Sequence, residues 1–166
     1  MQAHRLVLIA AALLTATPML AQAEGFAGGG VGWARVNKGD FGGSDDHSNT
    51  GWKAFVGGDT EIFGGEIQYI DFGKLSSGGR VHAWAPAVTA GFPLGGFKPY
   101  GKVGGAFVDV KHDGTISDYH NTRAFWGVGG RFPILPSIGL RVEYERFNLK
   151  NSQHEDLISA NGEFLF

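Results

Sequence analysis

Cysteine is absent from the sequence, which removes disulfide frameworks, thiolate metal sites, cysteine nucleophiles and the lipid-modified cysteine of a bacterial lipoprotein. No apolar run is long enough to cross a bilayer as a helix: the run at 6–14 falls well short of the ~20 residues such a span needs. Charge is sparse and nearly balanced, with 14 Lys and Arg against 16 Asp and Glu and a formal net charge of −2. A chain of this kind offers no broad basic footprint for nucleic acid. Sustained helical periodicity is also missing after Ala23. The glycine clusters at 28–32 and 127–130 therefore do not open a helix within a βαβ unit, and they do not read as nucleotide-binding loops.

What is present begins with an export signal. His4 and Arg5 precede the apolar run, and Thr15, Thr17 and Pro18 relax it. The small-x-small site Ala21-Gln22-Ala23 follows where a signal peptidase cuts. The expected organisation is a signal peptide over 1–23 and one mature domain over 24–166, a length suited to a single domain.

Glycine is the second feature. All 28 glycines follow residue 24, a share far above the roughly 7% average. No three-residue period supports collagen, and 13 phenylalanines and 4 tryptophans interleaved with the glycines rule out a flexible linker. Segments of about ten residues with two-residue alternation recur to the end of the chain, so the glycines belong to strands. The pattern predicts strands at 25–36, 51–59, 64–75, 80–92, 98–110, 121–132, 138–149 and 154–166. Compact connections at 60–63, 93–97 and 133–137 alternate with polar ones at 37–50, 76–79, 111–120 and 150–153. Short turns on one side and polar loops on the other is the layout of an outer-membrane barrel. A ten-residue strand of ~33 Å tilted near 45° spans ~23 Å, close to the ~25 Å apolar band of such barrels. The fold class expected is all-β, an eight-stranded antiparallel transmembrane up-and-down β-barrel.

The last strands set the faces. Ile158, Ala160, Gly162, Phe164 and Phe166 alternate with Ser159, Asn161 and Glu163, with Leu157 and Leu165 blurring the polar side. Ile138, Leu140, Val142 and Tyr144 alternate with Arg141, Glu143 and Glu145, and Ala124, Trp126, Val128 and Phe132 with Arg123 and Arg131. Alternation alone does not distinguish a soluble barrel from an inverted one. Charges recurring mid-strand and aromatics gathered near strand ends favour the inverted arrangement. Phe92, Phe97, Tyr100, Phe132, Phe164 and Phe166 then form a periplasmic aromatic girdle, and Trp33, Trp52, Tyr69 and Trp84 are candidates for the other rim. A Lys or Arg at the lipid midplane costs ~2–4 kcal/mol. Lys53, Lys102, Arg123, Arg131 and Arg141 should therefore point inward beside Glu66, Glu143, Glu145 and Glu163 as a nearly neutral lumenal network. Folding the last two strands together predicts contact between Arg141 and Glu163. Narrow eight-stranded lumens need small residues beside long ones, which accounts for the glycines.

Three stretches resemble the small OmpA/OmpX-type outer-membrane β-barrel family, also labelled porin-like. Gly65-Glu66-Ile67-Gln68-Tyr69-Ile70-Asp71-Phe72-Gly73-Lys74 is similar to its third strand, Lys98-Pro99-Tyr100-Gly101-Lys102-Val103-Gly104 to its fifth, and Phe166 to its terminal assembly signal. Gly57-Gly58-Asp59 departs from the glycine, tyrosine and arginine usual there. The resemblance implies residence in a Gram-negative outer membrane, contact with outer-membrane lipid and lipopolysaccharide, handling by periplasmic chaperones and the barrel assembly machinery, and a monomer. Nothing in the sequence resembles the peptidoglycan-binding domain that accompanies some members.

Candidate chemistry is thin. His47, His82, His112, His120 and His154 map toward the loop side, several near Asp45, Asp46, Asp113, Asp118 or Asp156. Imidazole with carboxylate can bind divalent metal or titrate near neutrality, but no pair shows a fixed ligand spacing, and solvated loops are the ordinary reading. A lipid A-modifying enzyme of this size would need a nucleophile such as that in His47-Ser48-Asn49. That string sits in a glycine-rich loop, and where the deacylases require histidine and serine on a late strand this chain has Glu143 to Phe147. No catalytic, metal or cofactor residue is assigned. Eight strands leave room for side chains rather than a water-filled pore. The functional expectation is a structural or surface-interaction barrel acting through its loops, with a narrow gated ion path as the alternative and a lipid A enzyme behind it.

Overall fold

The computed structural model describes residues 24–36, 48–74, 80–111, 121–148 and 154–166. They form eight strands: β1 (Glu24–Val36), β2 (Ser48–Asp59), β3 (Phe63–Lys74), β4 (Arg80–Gly91), β5 (Lys98–Lys111), β6 (Asn121–Leu135), β7 (Ile138–Asn148) and β8 (His154–Leu165). Each pairs antiparallel with its chain neighbour, and β1 pairs with β8, so the sheet closes on itself. Closure leaves no edge strand with unpaired backbone groups.

The seam is held to its last residue. Gly25 and Phe166 exchange backbone hydrogen bonds of 2.8 and 2.9 Å, and the Phe166 ring lies where a side chain on Gly25 would stand. Two features refine the expected boundaries. β6 runs past Pro133 to Leu135, with a register shift there, so the turn to β7 is only Pro136 and Ser137. At the other end of the barrel β3 bends at a register shift between Asp71 and Lys74. Gly73 there adopts φ +82°, and its backbone N–H donates to Asp71 Oδ1 at 2.8 Å. Glycine suits that position because an L side chain is strained at positive φ.

The three compact turns and the two ends of the paired seam lie at one end of the barrel, here the turn end. The remaining connections fall at the loop end; of the loops predicted at 37–50, 76–79, 111–120 and 150–153, residues 48–50 and 111 belong to β2 and β5, and the rest lie outside the described residues.

The core is inside the cylinder and mixes charged with apolar side chains. Lys53, Glu66, Lys102, Arg141, Glu143 and Glu145 are buried, while Val31, Ile67, Val88, Val103, Leu140, Val142 and Ile158 stand exposed around the outside. β7 shows the inversion directly: Leu140 and Val142 point out, and Arg141 and Glu143 point in. A contiguous exposed apolar surface of this extent is foreign to a water-soluble monomer. It is what a hydrocarbon surround requires, because Arg and Lys facing lipid would be costly and Val and Leu are not.

Candidate functional site

The lumen gathers the largest set of converging polar groups among the described residues, and two-residue periodicity builds it. Inward positions alternate along each strand, so Lys53 and Phe55, Glu66 and Gln68, Tyr100 and Lys102, and Arg141, Glu143 and Glu145 all enter the same narrow space. Small residues make the room. A side chain on Gly28 would come within 2.6 Å of the Phe55 ring, and one on Gly129 within 2.6 Å of the Tyr100 hydroxyl.

Three tiers fill this space. At the turn end, Asp59 accepts from Lys98 Nζ at 2.7 Å and from Arg131 Nη1 at 2.6 Å. Lys98 also donates to the Thr60 carbonyl at 3.0 Å. Arg131 Nε stands 2.8 Å from Glu163 Oε1 as an ion pair without hydrogen-bond alignment, and its guanidinium lies 4.6 Å from the Phe26 ring centre.

The middle tier sets Lys53, Lys102 and Arg141 against Glu66, Glu143 and Glu145. Lys102 Nζ reaches Glu66 at 3.0 Å, Glu143 at 2.6 Å and Glu145 at 2.8 Å. Lys53 donates to Glu145 at 2.6 Å and to Glu143. Arg141, 0% exposed, donates to Glu66, to the Tyr100 hydroxyl and to Glu143, the last at 2.7 Å. Its guanidinium stacks 4.4 Å from Phe55 and 4.9 Å from Tyr100. Glu143 is the hub, since it also accepts from the Tyr100 hydroxyl at 2.6 Å and from Asn161 Nδ2 at 3.3 Å. Gln68 closes the set, donating to Glu145 at 2.7 Å. Three cations meet three carboxylates, so the tier is neutral although it is buried. Matched charge and extra hydrogen bonds are what make such burial tolerable.

The tier toward the loop end is apolar. Ile70, Phe72, Phe125, Phe147 and Leu157 pack with Ala34, Ala83, Ala85 and Ala106. The Phe125 and Phe147 rings stack at 5.0 Å, and Phe72 meets Phe147 edge-on at 5.5 Å. This corrects the expectation that an Arg/Lys–Glu network fills the lumen. Half of it is greasy, and Leu157, which blurred the polar face of the last strand, belongs to this tier.

The residues expected in the lumen thus fall into two groups and one outlier. Lys53, Glu66, Lys102, Arg141, Glu143 and Glu145 share the middle tier, and Arg131 and Glu163 join the turn-end tier. Arg141 and Glu163 approach to 4.0 Å, but each has nearer partners. Arg123 is a correction: it has the inward parity of Phe125 but is only half-buried, and it pairs with Ala106 at the level of the apolar tier, outside the charge cluster. Tyr100 is another, since it lies in the charge cluster and not in the girdle. Asp59, Lys98, Gln68, Phe26 and Phe55 are participants that pattern reading missed. Tyr100 was discoverable, because it shares its face with Lys102.

Outside, Phe92, Phe132, Phe164 and Phe166 are exposed near the turn end, with Phe97 stacked 4.8 Å from Phe132. Higher up, Tyr69 lies between Trp52 and Trp84 at 5.4 and 5.1 Å, and His82 packs on Tyr69 at 5.9 Å. Among the described residues no group of His, Asp and Glu is placed to hold a metal ion; His47, His112 and His120 lie outside them.

Comparison with known proteins bears on this architecture. A family model described as "Outer membrane protein beta-barrel domain" matches residues 7–164. Among solved structures, Neisserial surface protein A superposes with a TM-score of 0.66 at 13% identity, covering 86% of this chain and 97% of that one. Ail, the attachment invasion locus protein of Yersinia pestis, gives 0.64 at 16% identity, covering 87% and 99%. The N-terminal β-barrel domain of Pseudomonas aeruginosa OprF gives 0.63 at 13% identity, covering 87% and 100%. No curated protein sequence matches the chain.

Proposed function

For a chain that belongs to the outer membrane protein β-barrel domain family, we propose a closed, non-conducting barrel that works at the cell surface through its four loop-end connections. One observation carries the reading: a cavity of about 400 Å³ enters the turn end beside Asp59, Lys98, Arg131 and Glu163, but above it the lumen is closed by the buried charge cluster and, on the loop side, by a tier of Phe72, Phe125, Phe147, Ile70 and Leu157. Apolar constrictions exclude water. An ion path through the Arg and Glu network would require this tier to part.

With the lumen closed across its middle and its loop side, the loops and the outer wall are the main surfaces left to meet other molecules. By the short-turn rule for these barrels the turn end is periplasmic and the loops are extracellular. Neisserial surface protein A and the attachment protein Ail carry names that place them in surface roles; at 13–16% identity they lend this chain a fold, so the reading rests on its own lumen. It includes export by the signal peptide at 1–23, assembly aided by periplasmic chaperones and the barrel machinery, a monomeric state, lipopolysaccharide around the outer rim, and no enzymatic activity.

The test pairs conductance with adhesion. In planar bilayers the folded protein should show no steady conductance; a steady current abolished by Arg141→Ala would replace this reading with the channel. Bacteria displaying the barrel should bind lipopolysaccharide-coated surfaces or cultured host cells better than bacteria whose 37–47 and 112–120 loops are replaced by Gly-Ser linkers. Equal binding to both would end the surface role, and altered lipid A acyl chains in cells making the protein would assign an enzyme instead.

A further inference from the structure

The outer wall of the barrel is not uniformly clad. A groove of about 520 Å³ crosses β4, β5 and β6 on the outward surface. Its floor is Ala90 and Gly101, its lower wall is Phe63, and its upper wall is Val88, Val103 and Trp126. Register explains the shape. Phe63, Ala90 and Gly101 are successive cross-strand partners on one rung, and Val88, Val103 and Trp126 on the rung two residues higher. The lower rung loses its side chains where the upper one is bulky.

Nothing in the chain itself requires the glycine. A Cβ on Gly101 would meet only the Gly127 carbonyl oxygen, at 3.9 Å, and its backbone does not take positive φ. Glycines that face into the lumen sit against rings or carbonyls and are needed there; Gly101 faces open space. Gly105 and Gly162 are as open; what sets Gly101 apart is its place on the floor of a walled groove, where a strand glycine lets an outside group approach the backbone closely. The approaching group is apolar, because the groove's exposed side chains are Phe63, Val88, Val103 and Trp126.

Depth identifies the source. Gly101 is the fourth residue of β5 counted from the turn end and Val103 the sixth. At ~3.3 Å per residue and a tilt near 45°, they stand roughly 7 and 12 Å above that end, within the periplasmic half of an apolar band ~25 Å tall. We propose that this groove seats one acyl chain of a periplasmic-leaflet phospholipid, held against the bare β4–β5 backbone and capped by Trp126. Lipopolysaccharide, in the opposite leaflet, does not reach it.

Trp126 reports on the groove. Two proteins, each retaining one tryptophan (Trp126 or Trp84) with the other three replaced by Phe, are refolded in detergent micelles. Both are titrated with phosphatidylethanolamine brominated at mid-chain, at ratios near one lipid per barrel where random contact is scarce. The Trp126 protein should be quenched several-fold more than the Trp84 protein. Gly101→Leu, which fills the floor, should abolish the difference, and Gly105→Leu, outward on the same strand but outside the groove, should preserve it. Equal quenching of the two tryptophans overturns the proposal even if Gly101→Leu fails to fold, and so does a folded Gly101→Leu protein that is quenched as before. Disulfide-linked dimers of Gly101→Cys in vesicles would also overturn it, assigning the groove to a second copy.

Discussion

Lys102 and Glu143 meet at 2.6 Å in the middle of the barrel, both side chains sealed from solvent, and each also holds partners from other strands. Lys102 reaches Glu66 on β3 and Glu145 on β7, and Glu143 receives Lys53 from β2 and Tyr100 from β5. The pair therefore ties opposite walls of the cylinder together, so its removal bears on the whole fold.

Glu143→Ala leaves three buried cations facing two carboxylates. Removing one member of a buried network strands its partners, at a cost of about 3–5 kcal/mol. Urea unfolding in lipid vesicles should show a loss of this size. Replacing Lys102 and Glu143 together by Met should cost less than the sum of the single changes, and strict additivity would show that the pair is not coupled.

Tyr100→Phe tests the correction to the girdle. Inside the lumen, the change deletes the donor to Glu143 and the acceptor for Arg141, and unsatisfied buried groups of this kind cost about 1–3 kcal/mol. A Tyr100 facing lipid would lose nothing measurable, so unchanged stability would contradict its placement.

Glycine substitutions should separate by face. Gly129→Ala puts a methyl 2.6 Å from the Tyr100 hydroxyl and 2.9 Å from the Val142 carbonyl oxygen, so the folded yield should fall. Gly162→Ala meets no atom within 4 Å and removes backbone freedom from a strand, which is worth roughly 0.5–1 kcal/mol in favour of alanine. Heat-modifiable gel mobility of the two proteins would check the contrast.

Val142→Arg addresses the inversion itself. The side chain is exposed near the middle of β7, where a lipid-facing arginine costs about 2–4 kcal/mol. In a soluble barrel the same exposed substitution would be nearly neutral. Refolding equilibria in vesicles, set beside Val142→Leu, would distinguish the two.

Period and parity were legible without coordinates. Eight segments with two-residue alternation, short turns against polar loops, and charges recurring on one face indicate strand number and which side of β6, β7 and β8 looks inward, because alternation follows from the pleat of a single strand. The buried set of Lys53, Glu66, Lys102, Arg141, Glu143 and Glu145 follows from the same rule. Only the tertiary structure decided height and partnership. Whether Arg141 prefers Glu66 to Glu163, why Arg123 stands apart, and why Phe125 and Phe147 cap the charges depend on how eight strands are staggered around the cylinder. Stagger places side chains from distant strands at one level. It is a property of the closed sheet, which no single strand's sequence encodes.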